Sequence, residues 1–317
     1  MKKIKTKIGA LWAIKTGDGN VLERAERLID DKKIVLEVVK HSGRELKFAS
    51  ERLKNDPEVA YSAVLNYPYA LEFVSNELRD SKQIVSQAVS KRGLALRFAS
   101  ERLRDNKDVV SLAVMQNGEA LAYASERLQN SKEIVNLAIS NTPRSFVYAS
   151  QRFKDDENFA LIAVENRGKN LSFVSDRLKD NEKVVERAIN NDGLALLYAS
   201  KRLKGNREIV QKALENSPGL YLLGFIDPLL MNDDEFCKNL VRIIKYKIKA
   251  LSVASKNNEE NSNSREKRFE FQDYIFTIES CCKTMDKNHT MNNEVKALIK
   301  DLYEDCKESA TEVDLMK

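Results

Sequence analysis

Residues Gly93 to Val114 read GLALRFASERLRDNKDVVSLAV, and this stretch returns along the chain at a fixed interval. The tripeptides FAS, FVS, FAS, YAS, YAS, FVS and YAS end at Ser50, Ser75, Ser100, Ser125, Ser150, Ser175 and Ser200, 25 residues apart each time. One step earlier, Leu22-Glu-Arg-Ala25-Glu-Arg-Leu28 is a diverged copy; one step later, at Leu223-Gly224-Phe225, the pattern dissolves. Eight copies thus occupy residues 18–217. A constant period of this size marks an architecture whose units bury their apolar faces only against one another.

The positions within a copy explain each other. Six residues after the serine stand Asp56, Ser81, Asn106, Ser131, Asp156, Asn181 and Asn206, with Asp31 in the first copy. All are good helix N-caps, able to accept from an otherwise unpaired backbone N–H. Apolar residues follow at the spacing of one helical face, as in Ile134, Val135, Ala138 and Ile139. The alanine of that set (Ala63, Ala88, Ala113, Ala138, Ala163, Ala188 and Ala213) marks close approach of a neighbouring helix. Gly43, Pro68, Gly93, Gly118, Pro143, Gly168, Gly193 or Pro218 comes next. Glycine there is expected to end one helix in the left-handed conformation, proline to open the next. The second helix is expected to run about a dozen residues across the serine, carrying Ala120, Leu121, Tyr123, Ala124 and Leu128 in one copy. Helices this short are marginal alone.

The expected fold is therefore all-α: an α-solenoid of eight 25-residue two-helix repeats with a helical C-terminal module. Residues 1–17 read as an N-terminal cap. Their apolar run, Ile8 to Ile14, is too short for a secretory leader and has no small-residue cleavage site. Trp12 is expected to plug the first open face. Residues 218–256 read as the opposite cap, 257–267 (in KNNEENSNSREK) as a flexible linker, and 268–317 as a helical hairpin with an acidic tail.

The pattern G-x-A-L-x-x-A-S-x-x-L-x-x-D/N-x-x-V-V-x-x-A-V, as it stands from Gly93 to Val114, resembles the repeat of the domain of unknown function 4116 family. The resemblance covers about 200 of the 317 residues. It implies a helical array and carries no catalytic residues over. That family recurs in large intracellular-pathogen proteins, notably type IV-secreted Legionella effectors, and in some protist and algal proteins. The tail DLYEDCKESATEVDLMK is similar to their export signals: Glu304, Asp305 and Glu308 form an acidic block, and Leu315 is third from the end. The resemblance thus implies a bacterial cytoplasmic protein exported into a host cell's cytosol.

Composition narrows the function classes. There are 53 Lys plus Arg against 48 Asp plus Glu, a net of +5, too small for this length to announce nucleic-acid binding. Eleven glycines and five prolines exclude a collagen-like chain. Two basic rows nonetheless run through the repeats. Two residues after the serine are Arg52, Arg102, Arg127, Arg152, Arg177 and Arg202; four after it are Lys54, Arg79, Arg104, Lys154, Lys179 and Lys204. One reading is an electropositive track for phosphate, on RNA or phosphoinositide. The other is structural: cations in the last turn of a helix complement its dipole. Residues 18–217 hold 33 basic and 30 acidic side chains, a net of +3, which favours structure. Phe48, Phe73, Phe98, Tyr123, Tyr148, Phe173 and Tyr198 are expected in the core, tyrosine hydroxyls at its edge. The repeated serines are expected to permit close helix packing.

Residues 235–256 form an amphipathic helix, with Leu240, Val241, Ile244, Ile248 and Leu251 on one side and Lys238, Arg242, Lys245, Lys249 and Lys256 on another. It reads as a lid on the last repeat, with an anionic membrane as the alternative target. Cys281, Cys282, His289 and Cys306 match no zinc spacing, and a Cys–His pair here lacks a third partner. The sequence therefore points to a non-enzymatic scaffold without cofactor or metal that binds a protein partner. A lipid or nucleic-acid binder is the second reading and a cysteine enzyme the remote one.

Overall fold

The computed structural model describes residues 3–17, 20–217 and 221–256, together with Ala297, Lys300, Asp301 and Glu304. The described chain is helical, without a β-strand among the described residues. No helix among them is long and apolar enough to cross a membrane. Contacts divide the chain into two compact units, Met1–Phe153 and Lys154–Lys317.

In the first unit, Thr6 caps the helix Lys7–Lys15 by accepting from the Gly9 amide at 3.1 Å. This helix turns Ala10 and Ala13 inward onto Lys32–His41. Trp12 does not plug the open face as expected: it is 66% exposed. The buried side of this helix is the one carrying Ala10 and Ala13, and Trp12 lies away from it. Beyond it the first copy has a four-residue helix, Val21–Arg24, and then Lys32–His41.

Each later copy has three elements where two helices were expected. In one copy a 3-10 helix, Gly118–Tyr123, is followed by a four-residue α-helix, Glu126–Gln129, and a ten-residue α-helix, Lys132–Asn141. The anticipated dozen-residue helix is thus cut at the serine. Ala124 and Ser125 are extended, with ψ 159° and 156°. The Ala124 amide closes the 3-10 helix on Leu121 O at 3.2 Å, whereas the Ser125 amide leaves the copy altogether and donates to Arg104 O of the preceding one at 3.0 Å. The Ser125 hydroxyl then accepts from the Leu128 amide as an N-cap. A side chain that offers the backbone this alternative competes with helix continuation. The serines therefore cap and stitch, rather than merely leaving room for packing.

The long helices begin at the expected caps. Asp31, Asp56, Asn106, Asp156, Asn181 and Asn206 accept backbone amides, while Ser81 and Ser131 occupy the same place without a side-chain bond. The expected apolar face is buried in each, as Val109, Val110, Ala113 and Val114 are at 0% exposure.

Glycine is needed for a different reason from the one expected. Among the described residues only Gly17 and Asn20 have positive φ. Gly93 instead starts a 3-10 helix where the next copy's long helix comes so near that a Cβ would lie 2.3 Å from Ala113 O. Pro68 and Pro143 start their 3-10 helices as expected; Pro218 lies outside the described residues.

The second unit repeats the pattern through Gly168–Phe173, Asp176–Lys179 and Glu182–Asn191, then Gly193–Tyr198, Lys201–Lys204 and Arg207–Asn216. The helix Asp234–Lys256 follows, packs on Arg207–Asn216 and buries Phe236, Cys237, Leu240, Val241 and Ile244. The side chains of Ile248 and Leu251 lie outside the described set, as do the expected linker and all of the expected hairpin except the helical Ala297, Lys300, Asp301 and Glu304.

Candidate functional site

The first basic row spends its arginines between copies. Asp80 ends one short helix; twenty residues on, the Ser100 hydroxyl donates to its carboxylate. Arg102 Nε reaches the same carboxylate at 3.0 Å, while Nη2 donates to the Asp80 carbonyl at 2.8 Å. The same Ser–Asp–Arg clasp forms at Asp30 with Ser50 and Arg52, and at Asp105 with Ser125 and Arg127. In the second unit it forms at Asp155 with Ser175 and Arg177, and at Asp180 with Ser200 and Arg202. Arg202 also holds Glu182 at 2.8 Å. In all five carboxylates the pKa lies below the usual value, because the serine hydroxyl and then the arginine stabilise the charged form.

The exceptions follow the same chemistry. Asn55 accepts from the Ser75 hydroxyl at 2.6 Å, and the arginine position there is Glu77. Asn130 accepts from Ser150 at 2.8 Å, and Arg152 lies over the Phe153 ring at 5.4 Å instead of on a carboxylate. Apolar spacing and N-cap preference do not single out these aspartates. They stand one place before the N-cap, and the signal for them is the match of Asp with a later Arg, and of Asn55 with Glu77, at a separation of 22 residues.

The second basic row turns back onto its own copy. Lys54 pairs with Glu51 at 2.8 Å, Lys179 with Asp176 at 2.9 Å and Arg104 with Glu101 at 3.9 Å. Arg79 donates to carbonyls of Glu72 and Val74, and Gln129 to Leu121 O at 3.1 Å. Lys154 is half-buried, which pushes its pKa down. A third set of ion pairs joins neighbouring long helices: Lys32 to Asp56, Lys82 to Asp108 and Lys107 to Glu133 in the first unit, Lys183 to Glu157 and Lys212 to Glu186 in the second.

The aromatic row is nearer the surface than expected. Phe48, Phe73, Phe98, Tyr123 and Phe173 are half-buried, and Tyr148 and Tyr198 are exposed. Each ring stands at or just past the end of its 3-10 helix, beside the break, so its body packs while its edge meets solvent. In the first unit Arg97 lies over Phe98 at 4.3 Å and over Tyr69 at 5.6 Å, and Lys47 over Phe48 at 4.4 Å. Tyr69 also meets Tyr67 and Phe98 edge-on, at 5.8 and 6.4 Å. These are the contacts of cation–π and T-shaped pairs.

Lys238, Arg242, Lys245 and Lys249 lie exposed along the outer side of Asp234–Lys256. Burial and the nearby Asp234 and Asp233 push the Cys237 thiol up to about 11, which favours the protonated thiol over the thiolate. Of the tail, Glu304 is helical and exposed. Asp305, Glu308 and Leu315, like Cys281, Cys282, His289 and Cys306, lie outside the described residues.

The model of the domain of unknown function DUF4116 matches residues 31–79, 81–129, 131–179 and 181–228, each match spanning two 25-residue copies. No curated protein and no solved structure matches the chain. With more than half of its residues in four tandem matches, the chain belongs to the DUF4116 family.

Proposed function

We propose that this protein is a non-enzymatic helical-repeat scaffold that binds a protein partner through the aromatic row of its first unit. The observation that carries the reading is the contrast between two rows. The arginines two places after the serine are largely taken up between copies, whereas Phe98, Tyr123, Tyr148 and the neighbouring Tyr69 and Arg97 offer ring edges and a guanidinium to solvent. Tyrosine, phenylalanine and arginine are the side chains enriched where protein surfaces meet. Phosphate recognition would instead need unpaired cations.

A photo-crosslinking residue placed at Tyr123 should capture the partner at moderate salt, and one placed at Arg127 should not. Capture from Arg127 alone, lost as salt rises, would favour a phosphate ligand and contradict the reading. Action inside a host cell after type IV export belongs to the same proposal and rests on the repeat resemblance joined to the tail; an ordinary amphipathic helix with a frayed end is the alternative for the tail alone. A translocation reporter fused to residues 290–317 should be delivered, and neutralising Glu304, Asp305 and Glu308 together should abolish delivery.

A further inference from the structure

The first helix, Lys7–Lys15, has two faces with different uses. Its inner face is small: Ala10 and Ala13 are buried and account for its packing. Its outer face carries Ile8, Leu11 and Trp12, which are 80%, 46% and 66% exposed. These positions are related as i, i+3 and i+4, so the three side chains form one continuous apolar strip. A cap needs polar groups on its outward side; this one has a large aliphatic residue, a leucine and the chain's one tryptophan.

The charge around the strip is of one sign. Residues 1–17 contain Lys2, Lys3, Lys5, Lys7 and Lys15 and no acidic residue. Lys3 pairs with Glu26 at 3.4 Å, and Lys7 pairs with Asp31. Those two acids are thereby matched, and two exposed lysines bracket the strip along the chain, Lys5 ahead of the helix and Lys15 at its last position. A second copy of this chain would bring lysines against lysines. An anionic bilayer complements both features at once: its headgroups meet the lysines, and its interfacial zone accepts a tryptophan, whose ring is apolar and whose N–H needs a partner. In Asp234–Lys256 the described apolar residues Phe236, Leu240, Val241 and Ile244 are already buried, so that stretch offers charge without a strip to insert.

We propose that the first helix docks the protein on an anionic membrane surface, with Ile8, Leu11 and Trp12 entering the headgroup boundary and Lys5 and Lys15 contacting lipid phosphates and carboxylates. Trp12 reports the event directly, since all tryptophan emission comes from it. The full chain is titrated with vesicles of phosphatidylcholine containing phosphatidylserine, and with phosphatidylcholine alone. Emission should shift to the blue with the anionic vesicles only and return as salt rises. Co-sedimentation should be lost in the Ile8→Glu, Leu11→Glu double variant. It should weaken about 25-fold in Lys5→Ala, Lys15→Ala, at roughly fivefold per lysine near an anionic surface. All four positions are exposed, so the fold should survive, with circular dichroism as the check. An unshifted Trp12 overturns the proposal. So does binding that survives Ile8→Glu, Leu11→Glu and disappears when Lys238 and Arg242 are neutralised.

Discussion

At the scale of single residues, the serine that recurs every 25 positions has three partners. Its amide donates to the preceding copy, its hydroxyl oxygen accepts from the amide three places on, and its hydroxyl hydrogen goes to an aspartate or asparagine twenty places back, as at Ser125 with Arg104, Leu128 and Asp105. Replacing Ser125 by Ala should cost about 1 kcal/mol through the lost cap. It should also alter the acid response. The pKa of Asp105 is lowered in the folded protein, first by Ser125 and then by Arg127. A depressed carboxylate contributes stability that is fully present above its unfolded value, about pH 4, and is lost as pH falls through the lower folded value. Urea midpoints followed from neutral pH downward should therefore drop below about pH 4. The drop should be shallower in Ser125→Ala, because less of the depression remains to be lost. An identical acid profile in the two proteins would count against the serine as its main source.

At the scale of elements, the join between copies depends on what starts each 3-10 helix. The Gly43 amide donates to Asn66 Oδ1 at 2.8 Å, and Asn66 Nδ2 donates back to Lys40 O at 3.0 Å. Gly118 and Asn141 form the same two-way clamp, with Asn141 Nδ2 on Met115 O at 2.8 Å. Pro68 has no amide hydrogen, and opposite it the clamp residue is Lys91, which keeps only the donating half, to Leu65 O at 2.7 Å. Pro68→Gly alone should lower stability by roughly 1–2 kcal/mol, since it creates an amide without its acceptor and frees the unfolded chain. Lys91→Asn added to it should recover part of that loss, measured as non-additive urea midpoints. Strict additivity would mean that the pairing of proline with lysine carries no structural information. Neither this clamp nor the break at the serine was legible beforehand. Apolar spacing reports which side of an element is buried, and Leu121 and Leu128 satisfy one helix or two equally well. The ψ of the serine depends on where its amide finds an acceptor, and that acceptor is in another copy. The same limit applies to Trp12: which side of its helix packs is set by the surface it meets, which spacing within the helix does not describe.

At the scale of the whole molecule, the all-α repeat fold, the N-caps and the buried face of each long helix were readable because they recur, and recurrence turns a weak local preference into a pattern. The site was readable only in part. The arginine row stood out in the sequence, but its use depends on aspartates 22 residues earlier, and the exposed side of the aromatic row depends on the helix ending there. The arginine row and the ion pairs between long helices join successive copies, and the proposed recognition falls to the aromatic and apolar surfaces left outside. The direct test is equilibrium urea unfolding of the full chain with Arg102, Arg127, Arg177 and Arg202 all replaced by Gln, beside a measurement of binding to a polyanion such as heparin. The account predicts a clearly lowered unfolding midpoint, with little change in polyanion binding. An unchanged midpoint accompanied by loss of polyanion binding would show that the row is a ligand track after all.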